Sequence, residues 1–425
     1  MNLSMLKDKR IAIWGMGREG KTTLAYLRDV FPEKEIIIIN NKMVEDADHF
    51  VEEEHILDNL NKFDVLIKSP GISYYHDAIS EMKKNGVEIT SATNIWFSTA
   101  RKGKVIAITG SNGKSTTSAL LHHILERLGH KAELGGNIGT PLLSLNDNAD
   151  YYVVELSSYQ TCDLKYAPDI AVLLNLHPEH IQWHRTHEQY YNDKCNLLRR
   201  EAPINITNFN ETRTKNIATN TILFNDPEHL HFKGPMIMDG ATDIGDAGGF
   251  PLLGDHNLEN LCAALSVCKE LGLDLKECFE ASFSYHGLPH RLQVFGPVAN
   301  HMFVNDSIST DPEATIAALN ALSDKDITLI IGGEDREQDY DALCALIDKS
   351  KNVKPICVYE TGPRLFDQIN NKNKETAENL EDAVRLAKEI TPKGGYIILS
   401  PASPSYDAFS DFEERGNLFM QYAKN

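Results

Sequence analysis

The sequence is short of basic charge. Its 42 Lys and Arg residues face 61 Asp and Glu, a formal net charge of −19. Proteins that coat nucleic acid neutralise phosphates with Lys and Arg, so this balance argues against that class. It leaves open a small anionic substrate held in a locally basic pocket. Cysteine is scarce and unpatterned. The seven residues (Cys162, Cys195, Cys262, Cys268, Cys278, Cys344, Cys357) are odd in number and form no C-x-x-C pair. This predicts reduced thiols in a cytosolic protein. No run approaches the ~18 consecutive apolar residues of a membrane helix, so no membrane span is expected. The opening "MNLSMLKDKRIAIWG" enters a strand without the apolar core of a signal peptide. Short-period repeats and low-complexity tracts are also lacking. What remains is an ordinary globular composition, 42% apolar and 24% charged over 425 residues. That length suggests about two to four domains.

Short apolar strands recur, each followed by a helical pattern. The candidates are 11–15, 36–40, 65–68, 105–109, 152–155, 171–175, 204–207, 328–332, 355–359 and 396–400. Strands alternating with helices predict an α/β protein with mostly parallel sheets. Two breaks suggest boundaries: the polar "STARKGK" at 98–104 and the Gly- and Pro-bearing "HGLPHRLQ" at 286–293. Three domains are therefore expected, at 1–100, 101–288 and 289–425. The stretch 207–255 is rich in Gly and Asp, with weak periodicity, and is assigned no element.

The most informative segment is "VIAITGSNGKSTTSALLHHIL". A buried strand runs into Gly110, Ser111, Asn112 and Gly113, and Lys114, Ser115 and Thr116 open a helix. Backbone N–H groups at a helix N-terminus bind phosphate oxygens, aided by the helix dipole. A Lys reaches the terminal phosphates and a hydroxyl ligates Mg2+. The fit to G-x-x-x-x-G-K-[ST] is imperfect, because Ile108 stands outside the pattern. Even so, strand, turn, Lys and hydroxyls follow the order that ATP binding needs.

The stretch "IAIWGMGREG" ends a strand in G-x-G-x-x-G (Gly15, Gly17, Gly20). A nicotinamide site would place an acidic residue about 20 positions on, to hold a ribose hydroxyl. Here Asn40 and Asn41 stand there. The motif reads instead as a glycine turn, or as a seat for another phosphate-bearing ligand.

Glu155 closes the strand of "DYYVVELSSYQ", where an acid near a phosphate loop is well placed to hold Mg2+. In "LLNLHPEHIQWHRTHEQYYNDKCNLL", His177, His180, His184 and His187 have a spacing that tempts a zinc reading. Pro178 breaks the first turn and no Cys pattern accompanies them, so His177, His184 and His187 read as surface histidines.

Taken together, "TGSNGKST", "GGNIGTP" (135–141), "ELSSYQ", "NLHPEH", "GDHNLENLCAAL", "GLPHRLQ" and "SPASPSYDAFSDFEERG" resemble, in this order, the Mur ligases. These are ATP-dependent amide-forming enzymes of peptidoglycan precursor synthesis. The glycine motif, "SPG" at 69–71 and "FEERGNLF" are most similar to the glutamate-adding branch. The resemblance implies a Rossmann-like N-terminal domain for the UDP moiety, a central P-loop ATPase and a Rossmann-like C-terminal domain. It also implies a cytoplasmic bacterial enzyme that phosphorylates the L-alanine carboxylate of UDP-N-acetylmuramoyl-L-alanine. Attack by the glutamate amine then expels phosphate.

Carried over residue by residue, Lys114 matches the phosphate-loop lysine. Ser115 and Glu155 match a first Mg2+ site, and His180 matches a ligand of a second. Lys194 matches a lysine that is carbamylated in the family. An unmodified Lys is cationic and cannot ligate Mg2+, whereas a carbamate is an anionic oxygen ligand. Asn257 and Asn260 resemble adenine-side asparagines, and Arg291 and Asp306 resemble ATP contacts of the C-terminal domain. Arg18, Glu19, Ser69, Gly71 and Asn137 resemble contacts to the UDP-bearing substrate. Ser405 and Phe412 match glutamate contacts.

Two positions depart from the D-glutamate pattern: Ile308 in "NDSISTDPEAT" and Arg336 in "GGEDREQDY" each stand where a Lys is usual. Arg is not a neutral swap for Lys, because its planar fork prefers bidentate carboxylate binding. "WGMGREG", "DSIST" and "GGEDR" resemble a branch that adds L-glutamate, so L-glutamate is the expected substrate and D-glutamate the alternative. More remote readings are a folate-type polyglutamate ligase and a non-catalytic P-loop switch. The first normally lacks a glycine-motif domain ahead of the phosphate loop. The second leaves His180, Lys194 and the C-terminal third without a role. The charge is compatible with a soluble monomer.

Overall fold

The computed structural model describes residues 3–44, 47–99, 101–177, 179–252 and 254–425. Pro178, expected to break the turn after His177, lies outside them. The chain divides into two compact units, Met1–Gly248 with Leu258–Ser282, and Gly249–Asn257 with Phe283–Asn425.

The first unit contains two parallel sheets. In one, β1 (Ile11–Trp14), β2 (Ile36–Asn40), β3 (His49–Glu52), β4 (Val65–Lys68) and β5 (Glu88–Thr90) lie in the order β3-β2-β1-β4-β5. Successive side chains of a strand point to opposite faces. Ala12, Trp14, Ile37 and Ile39 therefore join one core cluster, and Ile11, Ile13, Ile36 and Ile38 join another. A strand buried on both faces reads as an unbroken apolar run, as "IIII" does. The order reverses between β1 and β4, and it is outside the carboxyl ends of such a pair that open α/β sheets bind ligands.

The second sheet has β6 (Lys104–Thr109), β7 (Ala132–Gly136), β8 (Tyr151–Glu155), β9 (Ile170–Leu173), β10 (Ile204–Asn208) and β11 (Thr221–Phe224), in the order β11-β10-β9-β6-β8-β7. The phosphate loop leaves β6, which is flanked by β8 and β9. Residues 207–255, unassigned from sequence, complete β10, supply β11 and then form an antiparallel meander. The meander comprises β12 (Leu230–Lys233), β13 (Met236–Asp239) and β14 (Thr242–Asp246).

The other unit holds β15 (Gln293–Val298), β16 (His301–Asn305), β17 (Ile327–Ile331), β18 (Val353–Cys357), β19 (Glu375–Thr376) and β20 (Tyr396–Leu399). Their order is β15-β16-β20-β17-β18-β19, parallel except for β15. Val304, Leu329, Ile331 and Ile398 fill one core cluster, and Phe303, Ile330, Ile397 and Leu399 fill another. All seven cysteines are unpaired thiols, six of them buried. Among the described residues, no helix is long and apolar enough to cross a membrane.

Candidate active site

The glycine motif and the Ser69–Gly71 turn meet at the switch between β1 and β4. Gly15 has φ +91°, and Ser69 Oγ donates to its carbonyl at 2.6 Å. A Cβ at Gly20 would lie 2.0 Å from the Gly15 oxygen, so only glycine lets the helix Arg18–Val30 approach the strand this closely. Arg18 extends from the helix start and donates to the Gly139 carbonyl of the loop after β7.

Glu19 turns inward. One carboxylate oxygen accepts from Gln160 at 3.4 Å, and the other is buried without a hydrogen-bond partner. Burial, with Asp163 nearby, raises its pKa to about 7 against the opposing pull of Lys68. Lys68 went unnoticed in the sequence because it ends an apolar strand. It is 1% exposed and lies 5.5 Å from the centre of the Trp183 ring.

The phosphate loop is braced from β9. Asn175 accepts from the Ser111 N–H through its carbonyl at 2.9 Å and from the Asn112 N–H through its side chain at 2.8 Å. It donates to the Asn112 carbonyl at 3.1 Å. Ser111 Oγ accepts from the His177 N–H at 2.7 Å and lies 2.6 Å from the Tyr190 hydroxyl. Gly113 adopts φ +81°, and a Cβ there would lie 2.3 Å from Asn260 Oδ1. Asn260 Oδ1 also accepts from Thr117 at 3.1 Å, which brings Asn260 to the loop. Lys114 Nζ donates to the Ser111 carbonyl at 2.6 Å. Ser115 and Thr116 follow in the first turn of the helix Lys114–Arg127, where N–H groups have no carbonyl one turn back within the helix. Neither Asn175 nor Tyr190 was singled out from the sequence, although Asn175 sits in "NLHPEH".

Glu155 is fully buried at the end of β8. Its Oε1 accepts from Asn137 at 2.6 Å, while Oε2 is buried without a hydrogen-bond partner. The 135–141 turn is pressed against this strand end: a Cβ at Gly136 would meet the Glu155 carbonyl at 2.2 Å. A buried carboxylate oxygen with no donor, near a loop bearing hydroxyls, fits a hard oxygen-seeking cation such as Mg2+.

His180 takes a left-handed conformation (φ 54°) that opens the short helix Ile181–His184. It lines a cleft of about 720 Å3 together with Gly71, Ser73, His76, Tyr159 and Trp183. One residue expected to hold the cation and one expected to hold the UDP moiety thus share a cleft. A larger cavity of about 970 Å3, beside Lys7, Arg10 and Phe31 at the other end of the first sheet, holds none of the candidate residues.

Lys194 lies on the helix His187–Cys195, which is capped by Thr186. It is 1% exposed and donates to the Gly110 carbonyl at 2.7 Å. Burial, helped by Lys114, holds its amine well below the usual lysine range.

The surface reading of the histidines needs one correction. His177 and His187 are exposed, but His184 is wholly buried and hydrogen-bonded to Asp193 and Ser158. The four histidines do not converge. Among the described residues, only the exposed Glu52, Glu54 and His55 bring three His, Cys or carboxylate ligand atoms within reach of one ion.

In the other unit, Asp306 is 2% exposed at the end of β16. It accepts from the Leu292 N–H at 2.9 Å, Ser309 Oγ at 2.6 Å and Ser400 Oγ at 2.7 Å. Arg291 is exposed one residue before Leu292. Asn257 is buried, with its amide 3.1 Å from His256 Nε2. Arg336 pairs with Glu334 at 2.8 Å and lies over the ring of Tyr406. Ser405 is buried beside it in sequence, and Phe412 opens the helix Phe412–Lys424 with its carbonyl bonded to Ser307. Arg415 was missed. It is fully buried and donates to the Ser307, Ser403 and Pro404 carbonyls, pinning the segments that follow Asp306 and precede Ser405.

Known proteins resemble this chain. The family model "Mur ligase middle domain" matches residues 108–234, and "Mur ligase, glutamate ligase domain" matches residues 290–403. A UDP-N-acetylmuramoyl-L-alanine--L-glutamate ligase of Xanthomonas oryzae pv. oryzae is 35% identical over 100% of this chain and 97% of its own length. Among solved structures, UDP-N-acetylmuramate-alanine ligase of Thermotoga maritima aligns with TM-score 0.58 at 18% identity, covering 97% of this chain and 98% of its own. The MurF ligase of the same organism, solved with ADP, aligns with TM-score 0.58 at 16% identity, over 100% of this chain and 97% of its own. These two share the fold. The full-length likeness to the Xanthomonas enzyme goes further, and the chain belongs to the Mur ligase family.

Proposed function

We propose that the protein joins glutamate, in its L form, to UDP-N-acetylmuramoyl-L-alanine at the expense of ATP. The observation that carries this is the grouping of a braced phosphate loop, the orphaned Glu155 oxygen and the buried Lys194 amine, with His180 opening onto the cleft shared with Gly71. The full-length likeness to L-glutamate ligases supports the choice of amino acid.

A carboxylate is a poor electrophile, and phosphorylation gives it a leaving group. In the proposed reaction, a carboxylate oxygen of the alanine attacks the γ-phosphorus and the bond to ADP breaks. The glutamate amine then attacks the acyl carbon and loses a proton, and phosphate departs. Gly110, Ser111, Asn112, Gly113, Lys114, Ser115 and Thr116 hold the ATP phosphates. Glu155 and Ser115 hold one Mg2+, and His180 with carbamylated Lys194 holds a second. Bound Mg2+ offsets negative charge on the transferring phosphoryl group. Burial and Lys114 lower the Lys194 pKa, which favours the neutral amine that adds CO2, and its Nζ lies beside the phosphate loop on the Gly110 carbonyl.

Arg18, Glu19, Ser69, Gly71 and Asn137 seat the UDP-bearing substrate in a Rossmann-like first domain. Asn257, Asn260, Arg291 and Asp306 serve ATP, and Arg336, Ser405 and Phe412 serve glutamate in a Rossmann-like last domain. We place the enzyme in the bacterial cytoplasm, as a monomer of three domains.

The test is phosphate release. Wild-type protein should release phosphate only when ATP, Mg2+, UDP-N-acetylmuramoyl-L-alanine and glutamate are all present. Lys194→Ala should lose at least about 100-fold in rate, beyond the loss typical of groups that only support a metal ligand. A small added carboxylate should restore part of it. Full activity without the lysine would remove the carbamate, and release that ignores the amino acid would remove the ligase.

A further inference from the structure

One largely buried chain of hydrogen bonds has no part in the chemistry above, yet each of its members lies within five positions of a residue that does. The Tyr75 hydroxyl donates to Asp193 Oδ1 at 2.5 Å. Asp193 Oδ2 lies 2.6 Å from His184 Nδ1, and His184 Nε2 lies 2.9 Å from Ser158 Oγ. Gln189 donates to Asp193 at 2.8 Å and to the Tyr75 hydroxyl at 2.7 Å. Ser158 follows Glu155 by three residues, His184 follows His180 by four, and Asp193 precedes Lys194. Tyr75 belongs to the loop that carries Ser69 and Gly71.

The bonding order Ser158–His184–Asp193 matches that of a nucleophile, its base and an orienting acid. Burial rules that role out: the three are 2%, 0% and 4% exposed, so no substrate carbonyl reaches the hydroxyl. What the chain does is join two segments. Ser73 donates to the Trp183 carbonyl at 2.7 Å, and the Trp183 indole donates to the Pro70 carbonyl at 3.1 Å. Arg185 bonds to Asp77 at 2.7 Å. The loop at 69–76, the start of the helix Asp77–Lys84 and the helices of His180 and Lys194 are thereby tied into one body. Buried networks of this kind polarise and stiffen their members, and the partners that orient metal ligands tune cation affinity.

We propose that Tyr75, Asp193 and His184 are positioning residues that couple the seat of the UDP-bearing substrate to the cation ligands His180 and Lys194. The proposal rests on the substrate and cation assignments above. Two substitutions test it. Tyr75→Phe keeps the ring packed edge-on against Trp183, with centroids 6.0 Å apart, and removes only the hydroxyl. His184→Asn breaks the chain at its centre.

Three bindings are measured: Mn2+ by electron paramagnetic resonance, UDP-N-acetylmuramoyl-L-alanine by calorimetry, and ADP without divalent cation as a control at the phosphate loop. Each variant should weaken both Mn2+ and the sugar nucleotide by about tenfold or more, with ADP held within about twofold. The proposal is overturned if Tyr75→Phe weakens the sugar nucleotide alone, or if neither affinity moves. A parallel loss of ADP binding also overturns it, since that marks general structural damage. Wild-type protein that binds no sugar nucleotide would instead overturn the substrate assignment.

Discussion

Glu19 shows how burial gives one side chain a pH-dependent effect on stability. Its carboxyl has one partner at 3.4 Å and one unpartnered buried oxygen, and its pKa stands near 7 against an ordinary 4.5. Since the folded value exceeds the unfolded one, the group's contribution to stability is complete below about pH 4.5. It falls as pH rises towards 7, where the folded protein must ionise a buried acid. Urea unfolding from pH 4.5 to 8 should show this loss, and Glu19→Gln should flatten it. An unchanged slope in the variant would place the proton elsewhere. Glu155 differs from most acids of the surface by its burial. Its carboxylate is fully buried, and one oxygen has no donor.

Elements fix what glycines can do. The helix Arg18–Val30 packs closely on the β1 end because Gly20 has no Cβ, which would lie 2.0 Å from the Gly15 oxygen. Gly20→Ala must push the helix off the strand. Overpacking of this kind costs about 1–3 kcal/mol. The urea midpoint should fall accordingly, together with affinity for the UDP-bearing substrate. Unaltered stability would mean that the helix yields without cost.

The elements were unevenly legible in sequence. All ten strands read as apolar runs are strands, because parallel strands covered on both faces carry unbroken hydrophobic stretches. Among the strands missed, β7, β19 and the meander lack that signature. β7, "AELGG", is an edge strand ending in two glycines, and β19 has only two residues. The meander β12–β14 is antiparallel and partly exposed, so its apolar residues do not run together.

The site was legible where backbone demands are local and obscure where contacts are distant. Gly110 to Thr116 announce a phosphate loop because glycine, lysine and hydroxyls must follow one another there. Asn175 and Tyr190 brace that loop from 63 and 79 positions away, and no spacing rule links them to it. His184 was read as a surface residue because Pro178 and the lack of a Cys pattern argue against a metal cluster. Only the fold supplies Asp193 and Ser158 as its partners.

At the scale of the molecule, 61 acids against 42 bases surround a substrate end that gathers cations locally. Lys68, 1% exposed, and Lys114, bonded to the Ser111 carbonyl, are drawn inward there. Such an arrangement suits a small polyanionic substrate in a protein whose net charge argues against coating nucleic acid. Ile308 and Arg336 depart from the D-glutamate pattern, and we assign Arg336 to the glutamate side of the proposed site.

The most direct test of the account is phosphate release with ATP, Mg2+ and UDP-N-acetylmuramoyl-L-alanine, run separately with L- and D-glutamate. The account predicts turnover with L-glutamate and little with D-glutamate. Turnover with D-glutamate alone would contradict it.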